Sequence, residues 1–199
     1  HGAKHTVFRA GEVHGRITPR AEEVCRLVTY SDSAKTTDNL WGERWSKLVA
    51  NVMGNGLSAC TGLSGGDVMR NDALRRFSTR LGSEAIRVGQ ALGYALVDIQ
   101  RMTPETIARA GEGDPAATRA YDVNRLEYAS HTADEQRPSM GQDMLKGRRT
   151  EIDYLNGLVA HEGEKLGLAC PANTALTDIA QRVERGALAP APRHIIDFR

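Results

Sequence analysis

No stretch of this chain approaches the ~20 continuous apolar residues that a bilayer-spanning helix needs. The opening residues, HGAKHTVFRAGE, hold no apolar core of a secretion signal. A charge excess of either sign is also missing: 26 basic residues face 25 acidic ones, for a net charge of +1. No Lys/Arg-rich run stands out, which argues against a dedicated nucleic-acid or membrane-surface protein. Cysteine is sparse, with Cys25, Cys60 and Cys170 far apart and without a C-x-x-C partner. That usage fits a reduced, cytoplasmic protein in which thiols serve as small apolar fillers. The histidines are scattered and form no H-E-x-x-H, so a protein-built metal site is not expected. Finally, no G-x-G-x-x-G occurs anywhere. The richest glycine cluster, GLSGGDVMRND at 62–72, lacks the lysine of a P-loop and the spacing of a dinucleotide turn, and reads as a loop between helices.

What remains is length and periodicity. The 199 residues suffice for one large domain or a domain with an appendage. Residues 5–36 have mixed character. HTVFRA and GRITP are strand-like, RAEEVCRLV is a short amphipathic helix, and SAKTTDNL suggests a second strand. The chain starts at His1, on strand-like residues, and residues 1–37 read as the end of a Rossmann-type α/β domain whose beginning is missing. From residue 38 to 199 the pattern is helical, so the fold class is mainly α. Helices are predicted over about 39–54 (continuing with a kink past Gly54 and Gly56), 71–101, 104–111, 115–129, 140–166 and 171–185, with a Pro-rich tail after them. Gly82, Gly89 and Gly93 inside the second of these suggest the close approach of a neighbouring helix.

Two constellations carry possible chemistry. In WGERWSKLVANVMGNGLSA, Trp41, Trp45, Leu48 and Val52 form an apolar stripe at roughly 100–160° on the helical wheel. Beside it Lys47, Asn51 and Asn55 stack in line, at roughly 0°, 40° and 80°. The line is either an ordinary solvated face or a cleft rim, where a cation and two bifunctional amides meet a small polar ligand. In PSMGQDMLKGRRTEIDYLNGLVAHEGEKLGL, Glu151 falls on the apolar stripe of the predicted helix with Ile152, Leu155, Leu158 and Val159. A carboxylate there needs a partner, since burying it alone is costly. The partner could be Arg148 or Lys146 at the edge of the stripe, or a cleft cation whose proton affinity it tunes.

RWSKLVANVMGNGLSA and KGRRTEIDYLNGLVAHEGEKLGLACPANTAL resemble the two signature blocks of 2-dehydropantoate 2-reductases (ketopantoate reductases), and GEVHGRITPRAEEV is similar to the segment that closes their nucleotide-binding domain. The resemblance covers about residues 5–185 and implies the helical substrate-binding half of a 6-phosphogluconate dehydrogenase-like reductase. Members reduce ketopantoate to pantoate with NADPH on the route to coenzyme A. Carried over by position, Lys47 resembles the catalytic lysine that meets the keto oxygen and supplies the proton, and Glu151 the acid that cooperates with it. Asn51 and Asn55 resemble the amides that bind substrate hydroxyls, and Ser139 the residue that meets the carboxylate. Residues 104–137 resemble a helical insertion of longer members and carry no usable signature. The absent glycine turn implies that these residues alone hold NADPH poorly and are inactive without a nucleotide-binding domain. On one unbroken helix Ser139 and Glu151 would lie about 18 Å apart, so a bend near Gly141 or Gly147 is expected. The implied partner is a small 2-keto acid, with no nucleic acid, no membrane and possible homodimers. A paralogue acting on another 2-keto acid and a non-catalytic helical dimerisation module are the alternatives.

Overall fold

The computed structural model describes residues 7–131 and 137–197. It begins with a strand–helix–strand unit. Strand β1 (Val7–Ala10) pairs in parallel with β2 (Ser33–Thr36), Phe8 opposite Ala34, across helix α1 (Pro19–Val28). Thr18 starts α1: its Oγ1 accepts from the Ala21 amide at 3.2 Å, and Pro19 occupies the first turn, where its missing N–H costs nothing. The GRITP segment is the loop before that helix rather than a strand. His5 and Thr6, part of the expected first strand, lie outside the described residues.

All further named elements are helical: α2 (Leu40–Val52), α3 (Asn55–Thr61), α4 (Gly65–Arg70), α5 (Asp72–Ala91), α6 (Pro104–Gly111), α7 (Pro115–Ser130), α8 (Ser139–Leu145), a 3₁₀ turn (Ile152–Tyr154), α9 (Asn156–Lys165), α10 (Pro171–Glu184) and α11 (Arg193–Ile196). Among the described residues the sheet has two strands, and the mainly-α reading holds. The caps at Thr103 and Asp114 are those expected, with side chains that accept from Thr106 N and Ala117 N.

Four expectations need correction. The Gly-rich 62–72 segment is not only loop: Ser64 accepts from Asp67 N at 3.1 Å, and its hydroxyl donates to the Asp67 carboxylate at 2.8 Å, which starts α4. The helix expected to reach residue 101 stops at Ala91, because Gly93 turns the chain at φ +81°. The helix expected over 140–166, with a bend near Gly141 or Gly147, is broken outright after Leu145, where Gly147 takes φ +63° and Glu184 accepts from the Thr150 amide at 2.6 Å. The Pro-rich tail folds back through Ala191 N, which donates to Cys60 O at 2.9 Å, and buries Ile195. The polar loop expected at 130–138 lies mostly outside the described residues.

The core is one apolar cluster in which α5 is central. Leu74, Leu81, Ile86 and Val88 of α5 are buried there with Val49, Val52, Leu57, Ile107, Ile152 and Leu176 from other helices. Buried polar groups find partners there, with Asn156 Oδ1 and Arg76 Nη1 as exceptions. Glu84 accepts from the Ala172 and Asn173 amides at 2.9 Å each and so caps α10 from another helix, where Cys170 offers no cap. Burial is the largest influence on its carboxyl and pushes the pKa up, against the pull of those amides. Cys25, Cys60 and Cys170 are free and buried. No described helix is long and apolar enough to cross a membrane.

Candidate active site

Helix α2 positions the site. The face it buries is Gly42, Trp45, Ser46, Val49 and Val52, rotated slightly from the stripe expected from sequence. Trp41, counted with that stripe, is instead exposed, with Arg44 over its ring and its Nε1 donating to Val13 O at 3.2 Å. The rotation leaves Lys47 exposed and Asn51 half-buried.

The segment after Gly93 is laced to the same helix. Asn39 Nδ2 donates to Ala95 O at 2.7 Å, and Val97 N donates to Ser46 Oγ at 2.9 Å. A Cβ on Gly42 would lie 2.0 Å from Ala95 O, so only glycine permits this approach. The segment then reverses in a tight turn closed by Ile99 and Met102, with backbone bonds of 2.8 and 3.0 Å. Its central residues, Gln100 and Arg101, have φ of +52° and +66°. Both are strained for residues with a Cβ, in a conformation that normally selects Asn-Gly. The turn sets Gln100 beside Lys47.

Helix α2 ends at Val52 because side chains capture its last carbonyls. Ser78 Oγ donates to Met53 O at 2.8 Å, and Asn156 Nδ2 donates to Val52 O at 3.2 Å. Gly54 leads into α3, whose first residue is Asn55. The line of Lys47, Asn51 and Asn55 therefore crosses a helix break, yet all three side chains line one cavity of about 250 Å³. Its floor includes Met53, Val68 and Met69, and its far wall Tyr121, Arg125 and Tyr128 of α7. A wider trough of about 620 Å³ adjoins it and shares Lys47, Ala50 and Gln100. Beyond Lys47 the trough carries the Arg9–Glu43 ion pair. None of Lys47, Asn51 and Asn55 spends its side chain on another described residue, so a cation and two amides are free for a ligand. Tyr121 is buried and its hydroxyl lies 3.1 Å from Ser78 Oγ; burial pushes its pKa up, so it stays a neutral phenol.

The other two candidates are placed differently. Ser139 is the exposed first residue of α8; the preceding Pro138 lines the cavity, but Ser139 itself is not part of its wall. Glu151 is exposed, just before the 3₁₀ turn, and is absent from the cavity wall. The reading of Glu151 as a half-buried carboxylate on an apolar stripe is thus overturned, because the helix that would have buried it is interrupted. The same break, at Gly147, removes the straight 12-residue separation between Ser139 and Glu151. Arg125 and Gln100 are among the cavity residues that the sequence reading missed. Arg125 lies in 104–137, which offered no motif.

The residues present do not fit a dinucleotide's phosphates. Two strand-to-helix turns are described, and neither carries a G-x-G-x-x-G. In the first, β1 to α1, Glu12 accepts from Thr18 Oγ1 at 2.6 Å and Arg20 Nε at 3.0 Å, which sets a carboxylate beside the helix start. The second, β2 to α2, runs through Thr37, Asp38 and Asn39 and holds no glycine. No His, Cys, Asp or Glu cluster suited to a metal is found among the described residues.

Comparison with known proteins agrees with this geometry. The family model "Ketopantoate reductase PanE/ApbA C terminal" matches residues 39–184. The 2-dehydropantoate 2-reductase of Archaeoglobus fulgidus is 29% identical over 177 residues, 88% of this chain and 52% of its own. That of Mesorhizobium japonicum is 29% identical over 179 residues, covering 89% and 47%. The crystal structure of a PanE/ApbA family ketopantoate reductase from Ralstonia eutropha superposes with a TM-score of 0.67 at 26% identity, over 92% of this chain and 53% of that one. D-mandelate dehydrogenase in complex with NADH shares the fold, with a TM-score of 0.70 at 23% identity, over 90% and 55%. The chain spans about half the length of the curated relatives it matches. With its helices, its cleft and the match over residues 39–184, this chain belongs to the family of ketopantoate reductase C-terminal domains.

Proposed function

We propose that the chain is the substrate-binding part of an NADPH-dependent reductase that converts 2-dehydropantoate to pantoate, working with a nucleotide-binding domain that residues 38–197 do not supply. Residues up to 37 are assigned to the end of that nucleotide-binding domain. The observation that carries the reading is that Lys47, Asn51 and Asn55 line one cavity despite the helix break between them.

Hydride addition to a ketone builds negative charge on its oxygen. Lys47, exposed at the junction of cavity and trough, can donate a hydrogen bond to that oxygen and then the proton that completes the alcohol. Asn51 and Asn55 each offer a donor and an acceptor, the pair a substrate hydroxyl needs. Ser139, next to Pro138 of the cavity wall, is assigned a contact with the substrate carboxylate on the family resemblance. Glu151 is assigned the acid that cooperates with Lys47 on the family resemblance alone, since its exposed position contributes no support. A bound nicotinamide would supply the hydride; neither described strand-to-helix turn carries the glycine fingerprint that holds a pyrophosphate, so the share of the chemistry proposed for this chain is substrate binding and proton supply. One structural neighbour, from Staphylococcus aureus, is a dimeric ketopantoate reductase, and a homodimer is proposed here too.

The test is NADPH oxidation, followed by absorbance, with the chain joined to a nucleotide-binding domain, given ketopantoate and a panel of other 2-keto acids. Turnover of ketopantoate above all others supports the reading. Preference for another acid identifies a paralogue, and turnover of none points to a non-catalytic helical module.

A further inference from the structure

Two arginines in the described chain are almost wholly buried, Arg75 at 6% exposure and Arg125 at 5%. Their surroundings differ in kind. Arg75 is neutralised: Nη2 pairs with Asp72 at 2.6 Å and Nε with Asp122 at 2.7 Å. Arg125 has no carboxylate partner among the described residues. Its Nε donates to Asn124 Oδ1 at 2.8 Å, Nη2 to that same oxygen and to Gln100 O at 3.2 Å, and Nη1 to Gln100 Oε1. Every acceptor is a neutral amide oxygen. Tyr128 lies with its ring 5.1 Å from the guanidinium. Burial, the largest influence, pulls the Arg125 pKa below the ordinary arginine value, and the neighbouring cation Arg101 pulls the same way.

A buried charge without a counter-charge is costly, and folds normally pair it or remove it. Here it is retained and held in place. The amide oxygens that hold it belong to Asn124 and to Gln100, which sits in the strained turn at φ +52°. Strain of that kind persists only where surrounding contacts enforce it, and it gathers at ligand sites. Arg125 also lines the same cavity as Lys47, Asn51 and Asn55. Nη1 has a single acceptor, so one N–H of a delocalised cation remains for a ligand.

We propose that Arg125 is the counter-charge for the carboxylate of the small acid bound in the Lys47 cavity. The proposal deepens the function proposed above, on which it rests, by naming one further binding residue and the substrate group it meets. A 2-keto acid then places its keto oxygen toward Lys47 and its carboxylate toward Arg125, so that two cations at different points fix one orientation. Ser139, outside the cavity wall, becomes a secondary contact. An uncharged ketone of the same shape would leave Arg125 unpaired and bind poorly.

The test needs no reductase activity. The ¹⁵N-labelled 199-residue chain is titrated with 2-oxo-3-methylbutanoate and, separately, with its carboxamide, reading the Arg125 Nε–H resonance, assigned by its loss in Arg125→Lys. The acid is expected to bind at least about tenfold more tightly than the amide and to move that resonance, because charge-assisted hydrogen bonds are roughly twice as strong as neutral ones. Arg125→Met should lose the discrimination and Arg125→Lys keep part of it. Equal binding of acid and amide, an unmoved Arg125 resonance, or no acid binding at millimolar concentrations overturns the proposal. If Arg125→Met does not fold, the wild-type comparison of acid with amide still decides. Acid binding through Arg125 in a protein that reduces no keto acid would sink the reductase reading and leave this one standing.

Discussion

Gly89 in α5 tests whether the contact between α2 and α5 is as close as it looks. A Cβ built there would lie 2.3 Å from Trp45 Nε1 and 2.4 Å from Trp45 Cδ1, far inside ordinary contact. The ring cannot swing away freely, because it is 8% exposed and Nε1 donates to Ala85 O at 2.8 Å. Gly89→Ala must therefore displace the indole by about 1 Å, at an overpacking cost of about 1–3 kcal/mol. Displacement also strains or breaks a buried hydrogen bond, whose loss costs about 1–3 kcal/mol. Against this stands a helix-propensity gain of about 1 kcal/mol. The net expectation is destabilisation by about 3 kcal/mol, or roughly 6–12 °C in Tm for a chain of this size.

Urea denaturation followed by far-UV circular dichroism measures it. Gly157→Ala in α9 is the control, since its Cβ would meet nothing nearer than 3.4 Å and the propensity gain is unopposed. It should be neutral or stabilising by up to about 1 kcal/mol. In a Trp45→Leu background the cost of Gly89→Ala should shrink by more than about 1 kcal/mol, the signature of a direct pair. A Gly89→Ala protein as stable as wild type, or one whose penalty is unchanged beside Leu at 45, refutes the reasoning.

Four further outcomes follow from the site and its frame. In the reductase assay, Lys47→Ala should lower turnover by about 10²–10⁴, the usual worth of a positioned proton donor. Asn51→Ala and Asn55→Ala should each raise KM with a smaller effect on kcat, weakening substrate binding by about 1–3 kcal/mol, because a substrate polar group is left unpaired. Glu12 is held down to about 2, first by the hydrogen bond from Arg20 and then by that from Thr18. Its folded value is thus below the ordinary 4.5, so it adds stability above pH 4.5 that fades as the pH falls toward 2. Acid titrations of wild type and Glu12→Gln, followed by circular dichroism, should diverge above that window and converge below it. Arg101→Gly relieves the strain at φ +66° and should be neutral or stabilising by up to about 1 kcal/mol, as thermal denaturation would show.

Local signals were legible where local chemistry decides. Thr103 and Asp114 announce helix starts through a side chain that reaches its own third neighbour, and each does so. Gly167 at φ +70° ends α9 with Leu166, as its position in the sequence suggested. The breaks at 53–54 and 146–151 were harder to place. Their causes are Ser78 and Asn156 capturing carbonyls of α2, and Glu184 capturing the Thr150 amide, from 25, 104 and 34 residues away. Periodicity carries no trace of such partners: the glycines at 54 and 147 suggest a kink or a bend in a continuing helix, and the distant partners turn each into a break.

The same distinction governs the site. Lys47 and Asn51 were visible because one turn of one helix sets them together, and Asn55 joins them only because the break at Gly54 turns α3 back along the same cavity. Glu151 failed for the converse reason: its expected burial depended on a helix that tertiary hydrogen bonds interrupt. Arg125 stands at the far extreme. On α7 it is one more arginine on a weakly amphipathic helix, and nothing within that helix marks it. Its distinction is a missing partner, and a missing partner is a property of the packed chain. Arg75, equally buried, finds Asp72 and Asp122, whereas among the described residues Arg125 finds only amide oxygens. A sequence records which charges are present; only the fold decides which of them are left unanswered, and an unanswered charge in a cavity is where a ligand's own charge has most to gain.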